Sequence, residues 1–496
     1  MAELSVKLSW YEEQFRLSQQ RRFGSSSEQT HPDQLNIFNE AEVDAKPAQP
    51  EPTMEEVTYR RKKQTGHREE QLKGLPVETV DYYLSPEEQV CACGGPLHEM
   101  STEVRQEIKV IPAQVSVVKH VRHVYACRQC EQENTKTTIV TAPMPAPALP
   151  GSIASPTALA FIMTQKYVDG MPLYRQEQQL ERFGVSLSRQ TLSNWMVQSA
   201  ERWLLPLYDQ MHNHLLKQDI LHADETTLQV LNEPGRTAES TSYMWLYRTG
   251  RESPAMVLYD YQTTRASKHP RQFLNGFKGF IHVDGYAGYN GMPNVTLVGC
   301  LAHARRKFDE ALKALPAGQK TAPVAAKEGL DFCNKLFAIE RGLKEVTPEE
   351  RYKARQELSR PVMEAFSAWI KYQSPRVLPK SAFGQALTYC RNQWDKLAVF
   401  LTDGRLELDN NRGERSIKPF VIGRKNWLFS NTAKGAKASA TIYSIIESSK
   451  ENGLNPFKYL VYLFEKLPDV DIKNPAVLDE FMPWSDELPI ECRLEK

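Results

Sequence analysis

Residues 220–230 read I-L-H-A-D-E-T-T-L-Q-V, and their apolar period is two. Alternation puts His222, Asp224 and Thr226 on one face of a strand and Ala223 with Glu225 on the other. Just upstream the period is helical: Leu192, Trp195, Met196, Ala200, Trp203 and Leu207 recur at three- to four-residue spacing. Downstream, S-Y-M-W-L-Y-R-T-G (242–250) and A-M-V-L-Y-D-Y (255–261) read as two further strands. A helix is expected through Gln272–Phe277. The strand G-F-I-H-V-D (279–284), the strand V-T-L-V-G-C (295–300) and the helix L-A-H-A-R-R-K-F-D-E-A-L (301–312) follow.

Three strands, a helix, two strands and a helix is the order of a ribonuclease H-like core, a mixed five-stranded sheet with helices. Such a sheet carries metal-binding carboxylates on its central strands. Asp224 follows an apolar strand start, and Asp284 ends an apolar strand immediately before Gly285. A carboxylate there is costly to bury unless it is paired or holds a metal. Either aspartate alone also fits a turn or a helix cap. The third acid is Glu414, in L-D-N-N-R-G-E-R-S-I-K-P-F-V-I-G-R-K-N (408–426). Asp409 suits an N-cap there, and Pro419 is expected to stop the helix after about two turns. Asn410, Glu414 and Lys418 then share a face. Asp224, Asp284 and Glu414 together would hold two magnesium ions, with manganese as a substitute, for in-line phosphoryl transfer.

The surroundings of Glu414 point to nucleic acid. From Arg412 to Lys437 stand Arg412, Arg415, Lys418, Arg424, Lys425, Lys434 and Lys437 against that one acid. The whole chain has a net charge of only +1, so this is a local footprint for a phosphate backbone. Trp427 fits core packing or stacking on an unpaired base. Cys300-x-x-His303 resembles half a metal site, but burial of Cys300 in its strand is the plainer reading, with Arg305 and Arg306 turned toward substrate or an acidic partner.

The remaining chain divides by composition. Residues 1–75 hold an expected helix over 5–22, then R-R-F-G-S-S-S-E (21–28), an acidic Pro-rich linker (40–56) and Y-R-R-K-K-Q-T-G-H-R (59–68). Arg21 and Arg22 fit a DNA backbone or a helix C-terminus equally. Arg60, Arg61, Lys62 and Lys63 fit phosphate contacts or a solvated tail. Residues 76–140 look like a small β-rich module around Cys91, Cys93, Cys127 and Cys130. Two short cysteine pairs flanking the strand-like 115–126 supply four soft ligands for structural zinc, with His98, His120 and His123 in reserve. The other four of the eight cysteines are scattered, which argues against a disulfide framework. A Pro-rich linker (141–152) and a helical region (153–217) precede the first part of the core (218–315). The helical region has a helix, Gly184 and a second helix from Ser188, which fits a helix-turn-helix or a helical pair packed on the next domain. An all-helical insertion (316–402) interrupts the core, whose second part (403–466) precedes a C-terminal tail (467–496). At 496 residues and 41% hydrophobic, the chain is an α/β multidomain protein. It shows no run of 18 apolar residues and no signal peptide, so no membrane partner is expected and a cytoplasmic location is.

R-R-F-G-S-S-S-E, C-A-C-G-G with Y-A-C-R-Q-C, H-A-D-E-T, H-V-D-G-Y-A-G-Y, C-L-A-H-A-R-R-K-F and L-D-N-N-R-G-E-R-S-I-K-P-F-V-I-G-R-K-N-W occur in that order. In these stretches the chain resembles the large transposases of the insertion sequence 66 family, bacterial DDE transposases. The resemblance implies a magnesium-dependent DNA-cutting and strand-joining enzyme with Asp224, Asp284 and Glu414 as its triad. It also implies a zinc-binding module at 91–130, an N-terminal DNA-binding region, a helical insertion before the glutamate, and accessory proteins from the same element. Gly413 stands where the family usually has alanine, which lowers helix propensity beside Glu414. The expected partners are double-stranded DNA, as element ends and target, and further copies of the chain, at the bacterial nucleoid. A catalytically silent DNA-binding protein and a structure-specific nuclease of the same fold are the rival readings.

Overall fold

The computed structural model describes Thr79 and residues 113–126, 139–315 and 324–494. Arg21, Arg22, Arg60, Arg61, Lys62, Lys63, Cys91, Cys93, Cys127, Cys130 and the expected helix over 5–22 lie outside the described residues. Residues 113–120 fall in a separate compact unit and have no regular secondary structure.

Within the larger unit, the expected strand over 115–126 is realised only as β1 (Val124–Ala126), antiparallel to β2 (Ile139–Thr141). The Pro-rich stretch after β2 is more than a linker. Ala148 and Leu149 are buried in the main core, and the Trp203 indole N–H donates to the Ala148 carbonyl at 2.7 Å. Prolines bring few backbone donors, so such a segment can lie on apolar surface at little cost in unpaired N–H groups.

Ser155 and Ser188 cap α1 (Pro156–Tyr167) and α3 (Arg189–Ser199), accepting from the backbone N–H of Ala158 and Thr191. Between them lies α2 (Leu173–Arg182), which ends at Gly184 in the left-handed region (φ 82°). A π-helical turn (Ala200–Leu204) joins α3 to α4 (Leu205–Leu215). Leu192, Trp195, Met196, Trp203 and Leu207 are buried in the main core. The continuous apolar stripe therefore packs α3, the π-helical turn and α4 into the main core, to which α2 adds Leu180.

The sheet comprises β3 (Ile220–Asn232), β4 (Thr241–Thr249), β5 (Val257–Gln262), β6 (Gly279–Val283) and β7 (Val295–Gly299) in the order β5-β4-β3-β6-β7. The β3–β4 and β4–β5 pairs are antiparallel, and β3–β6 and β6–β7 are parallel. The helix expected at 272–277 is α5 (Lys268–Phe273). Asn275 and Gly276 (φ 91°) form the turn that ends it early. The chain leaves β7 as α6 (Leu301–Lys313) and enters α7 (Ala325–Gly342), α8 (Pro348–Ala354), α9 (Arg360–Gln373) and α10 (Ala382–Leu397). These helices bury a second core around Phe308, Leu336, Met363, Phe366, Leu387 and Cys390.

The chain returns as α11 (Asn411–Trp427), where the structure corrects the expected helix stop: Pro419 lies inside a 17-residue helix. Its ring removes one bond, to the Arg415 carbonyl, while contacts on either side hold the helix. Arg248 donates to Ser416 Oγ at 2.6 Å, the Tyr259 hydroxyl donates to the Ser416 carbonyl, and Ile417 and Phe420 are buried. The strand β8 (Ser430–Thr432) pairs with the far end of β3. It leads to α12 (Ala433–Glu451), which covers edge strand β5. Ser448 and Ser444 hydroxyls accept the backbone N–H of Val257 and Tyr259 at 2.9 and 2.8 Å. One helical turn rises about 5.4 Å and two strand residues about 6.7 Å, so the spacings nearly match. Asn455 caps α13 (Pro456–Lys466). The tail forms α14 (Pro475–Asp479) and buries Leu478, Phe481, Met482 and Leu488 in the main core.

Candidate active site

The sheet register brings the two aspartates side by side. His222 pairs with His282 across parallel β3 and β6. Two residues on from that pair come Asp224, inside β3, and Asp284, the first residue past β6, on neighbouring parallel strands. The His222 and His282 rings stack beneath them, centroids 4.3 Å apart and planes at 10°, and both are fully buried. Burial lowers the His222 pKa to about 4 and that of His282 well below the usual histidine range. Both rings are therefore neutral at pH 7.

Asn410 fixes the helix that carries Glu414. It is fully buried; its Oδ1 accepts from His222 Nδ1 at 2.9 Å, its Nδ2 donates to the Ala223 carbonyl at 2.9 Å, and its backbone N–H points to Cys300 Sγ at 3.2 Å. One turn later Glu414 faces the aspartates. Asp409 contributes as expected of a cap, accepting the Asn411 N–H at 2.9 Å, although the residue at the cap position itself is Asn410. Burial raises the Asp409 carboxyl to about 6.

Asp224 is half-buried, and its pKa stands well above the carboxylate range. Burial is the main cause, and the charges of Glu225, Asp284 and Glu414 add to it. Glu225 points to the other face, where Tyr289 donates to it at 2.6 Å and Arg265 pairs with it while stacking on Tyr286. A raised carboxyl pKa favours the folded state as pH falls and opposes it as pH rises. Asp224→Asn is therefore expected to leave the metal-free melting temperature at pH 7.5 unchanged or higher. Magnesium should raise the melting temperature of the wild type and not of this variant; differential scanning fluorimetry reads both.

The helical insertion holds the segments that lead to both Asp284 and Glu414. From α10, the Tyr389 hydroxyl donates to the Asp284 carbonyl at 3.0 Å and Gln393 donates to Gly285. Gly285 has φ 104°, and an added Cβ would press on both side chains. From α8 and the π-helical turn after it (Arg355–Ser359), two buried arginines grip the segment leading to Glu414. Arg351 donates to the Gly404 carbonyl at 3.0 Å. Arg355 donates to both oxygens of Glu340 and to the carbonyls of Phe400, Asp403 and Leu406, all at 2.8–3.0 Å. Gly404 leaves no room for a Cβ against the Pro348 carbonyl.

The basic residues differ in burial and in what they contact. Arg412 is mostly buried and bonds both oxygens of Glu407 at 2.9–3.2 Å. Burial favours the neutral form of Glu407, but the His222 ring, protonated at such low pH, and Arg412 hold its carboxyl at about 2. Arg305 donates to Asn334 of α7 at 2.9 Å and so faces the insertion. Arg306 lies 3.5 Å from Glu414 Oε2. Arg424 bonds Thr226 and Thr227, just beyond Asp224. Arg415 and Lys425 are exposed and Lys418 half-buried. Trp427 packs edge-on against Phe420, on the core side.

This arrangement coincides with a family match. Residues 151–438 match the transposase IS66 family, a DDE transposase domain. The chain belongs to the IS66 transposase family. Other parts of this IS66 chain match further family regions: the zinc-finger binding domain of transposase IS66 (88–131), the IS66 C-terminal element (444–484) and the region described as Transposase C of IS166 homeodomain (10–80). The zinc-finger match spans all four paired cysteines. Similar proteins include the uncharacterized proteins y4jD and y4hP of Sinorhizobium fredii. They are 32% identical over 83% of this chain and 81% of y4jD, and 28% identical over 82% of this chain and 75% of y4hP. Family membership supports a transposase-type enzyme with a DNA partner, a divalent metal and zinc. No helix among the described residues is long and apolar enough to cross a membrane.

Sequence reasoning placed Asn410 only on the helix face of Glu414 and gave no role to Glu407, Arg351, Arg355 or the histidine pair. The histidines had a signal: each aspartate ends an H-x-D triplet, H-A-D at 222–224 and H-V-D at 282–284.

Proposed function

We propose that this IS66 transposase binds the terminal inverted repeats of its own element, cuts the element's 3′ ends and joins them to target DNA on a ribonuclease H-like core. The supporting observation is the convergence of Asp224, Asp284 and Glu414. Asp224 feels both other carboxylates, and Glu414 Oε1 is buried without a hydrogen-bond partner. An oxygen set this acidic, with an orphaned oxygen, fits a hard divalent cation. When bound, two magnesium or manganese ions would activate the attacking oxygen and neutralise the leaving one. The chain's own residues do the positioning. β3 presents Asp224 and the end of β6 presents Asp284 on neighbouring parallel strands, Asn410 seats the first turn of α11, and Arg415, Lys418 and Lys425 offer charge for the DNA backbone. Water is the attacking group in cutting and the freed 3′-hydroxyl in joining. In joining, one phosphodiester bond replaces another.

On this reading Cys91, Cys93, Cys127 and Cys130 hold structural zinc, and Arg21, Arg22, Arg60, Arg61, Lys62 and Lys63 contact DNA with the N-terminal region. The active form is an oligomer working with accessory proteins of the element at the bacterial nucleoid. The test supplies magnesium and labelled duplexes carrying the element's ends, beside four-way junctions. Cleavage confined to the ends, followed by a joined product, is the expected result. Cutting of junctions and ends alike without joining would make the protein a structure-specific nuclease. Binding without cutting, even with accessory proteins present, would make it a silent binder.

A further inference from the structure

Glu414 belongs to a second donor set as well. Cys300 Sγ, His303 Nδ1 and a Glu414 oxygen all lie within 4.8 Å of one another. His303 Nδ1 is 3.6 Å from Glu414 Oε1. Both atoms are buried, and neither has a hydrogen-bond partner. Cys300 precedes α6 and His303 sits in its first turn, so C-x-x-H places thiol and imidazole side by side. Sulfur, nitrogen and oxygen together suit a thiophilic divalent ion of the zinc class, whereas the Asp224–Asp284–Glu414 set offers oxygen alone and suits magnesium. Zinc bonds of about 2.0–2.3 Å require the three atoms to close by roughly 1 Å. The partly exposed Glu414 and His303 side chains can rotate that far. Arg306 faces Glu414 Oε2, which leaves Oε1 for the metal.

We propose that Cys300, His303 and Glu414 form a zinc-class site whose occupation draws Glu414 away from Asp224 and Asp284 and so arrests DNA cleavage. Binding exchanges the Cys300 thiol proton for the metal and releases that proton to solvent. The inhibitory part rests on the transposase reading; the site itself does not.

Two measurements separate these claims. First, the zinc-replete full-length protein is titrated with cobalt(II). The wild type should take up one added equivalent with a thiolate-to-cobalt charge-transfer band. Cys300→Ser should lose the band, His303→Asn should weaken binding at least tenfold, and Asp284→Asn should keep both. Serine still accepts the Asn410 N–H, which protects the fold in the first variant. An undiminished band in Cys300→Ser, or no added equivalent in the wild type, would overturn the site. Second, micromolar zinc is added to magnesium-supported cleavage. The wild type should lose at least tenfold in rate while Cys300→Ser resists. Equal loss in both would overturn the inhibitory role. No cleavage by either protein in magnesium alone would count against the transposase reading, with the cobalt result still deciding the site.

Discussion

Replacing Glu414 by Gln, or Asp284 by Asn, is expected to slow end cleavage by roughly 10³-fold or more while end binding stays within about threefold. Both variants keep side-chain shape and remove one negative charge from the site. Asp284 sits at the end of a strand braced by Tyr389 and Gln393, and its own Oδ1 accepts the Tyr286 N–H at 2.8 Å. An asparagine can reproduce that bond, so the turn should survive. Glu414 meets His303 and Arg306 at 3.5–3.6 Å. If those contacts were its whole role, the loss would resemble that of a partly exposed ion pair, about 1 kcal/mol of stability or less, with little change in rate. Single-turnover cleavage on a labelled end, beside a binding titration with the same duplex, separates these outcomes.

The largest stability effect is expected far from the carboxylates. Arg355 is fully buried and makes five hydrogen bonds, two to Glu340 and three to carbonyls between Phe400 and Leu406. Arg355→Met keeps most of the volume but leaves a half-buried carboxylate and three carbonyls without their donor. Breaking a buried pair from one side costs about 3–5 kcal/mol. Arg355→Lys should recover little, because an ammonium cannot present the fork these acceptors require. Denaturant unfolding measures the loss. Cleavage should fall even where the variant remains folded, because the released segment runs directly into Glu407, Asn410 and Glu414. A variant with wild-type stability, or one destabilised yet cleaving normally, would show that the insertion does not position Glu414.

The strand order and the places of Asp224 and Asp284 were legible because both rest on short-range signals, the two-residue period and an aspartate closing an apolar run. Glu414 was legible from its charge contrast. The course of α11 was not: Pro419 is a strong local helix breaker, and contacts from Arg248 and Tyr259, more than 150 residues earlier, overrule it. The tail stayed silent for a related reason, since its apolar residues bury against helices distant in sequence. Charge alone could not tell Arg412, paired inward with Glu407, from the exposed Arg415 three residues on. Nor could composition reveal that the helical insertion braces both the Asp284 turn and the approach to Glu414, because that role is carried by backbone carbonyls.

The most direct test of the central claim is the number of manganese ions bound per active site by the zinc-replete protein on a pre-cut element end, read by electron paramagnetic resonance. The account predicts two, with Asp224→Asn, Asp284→Asn and Glu414→Gln each losing at least one. Two ions retained in all three variants, or none bound by a wild type that still cleaves, would contradict it.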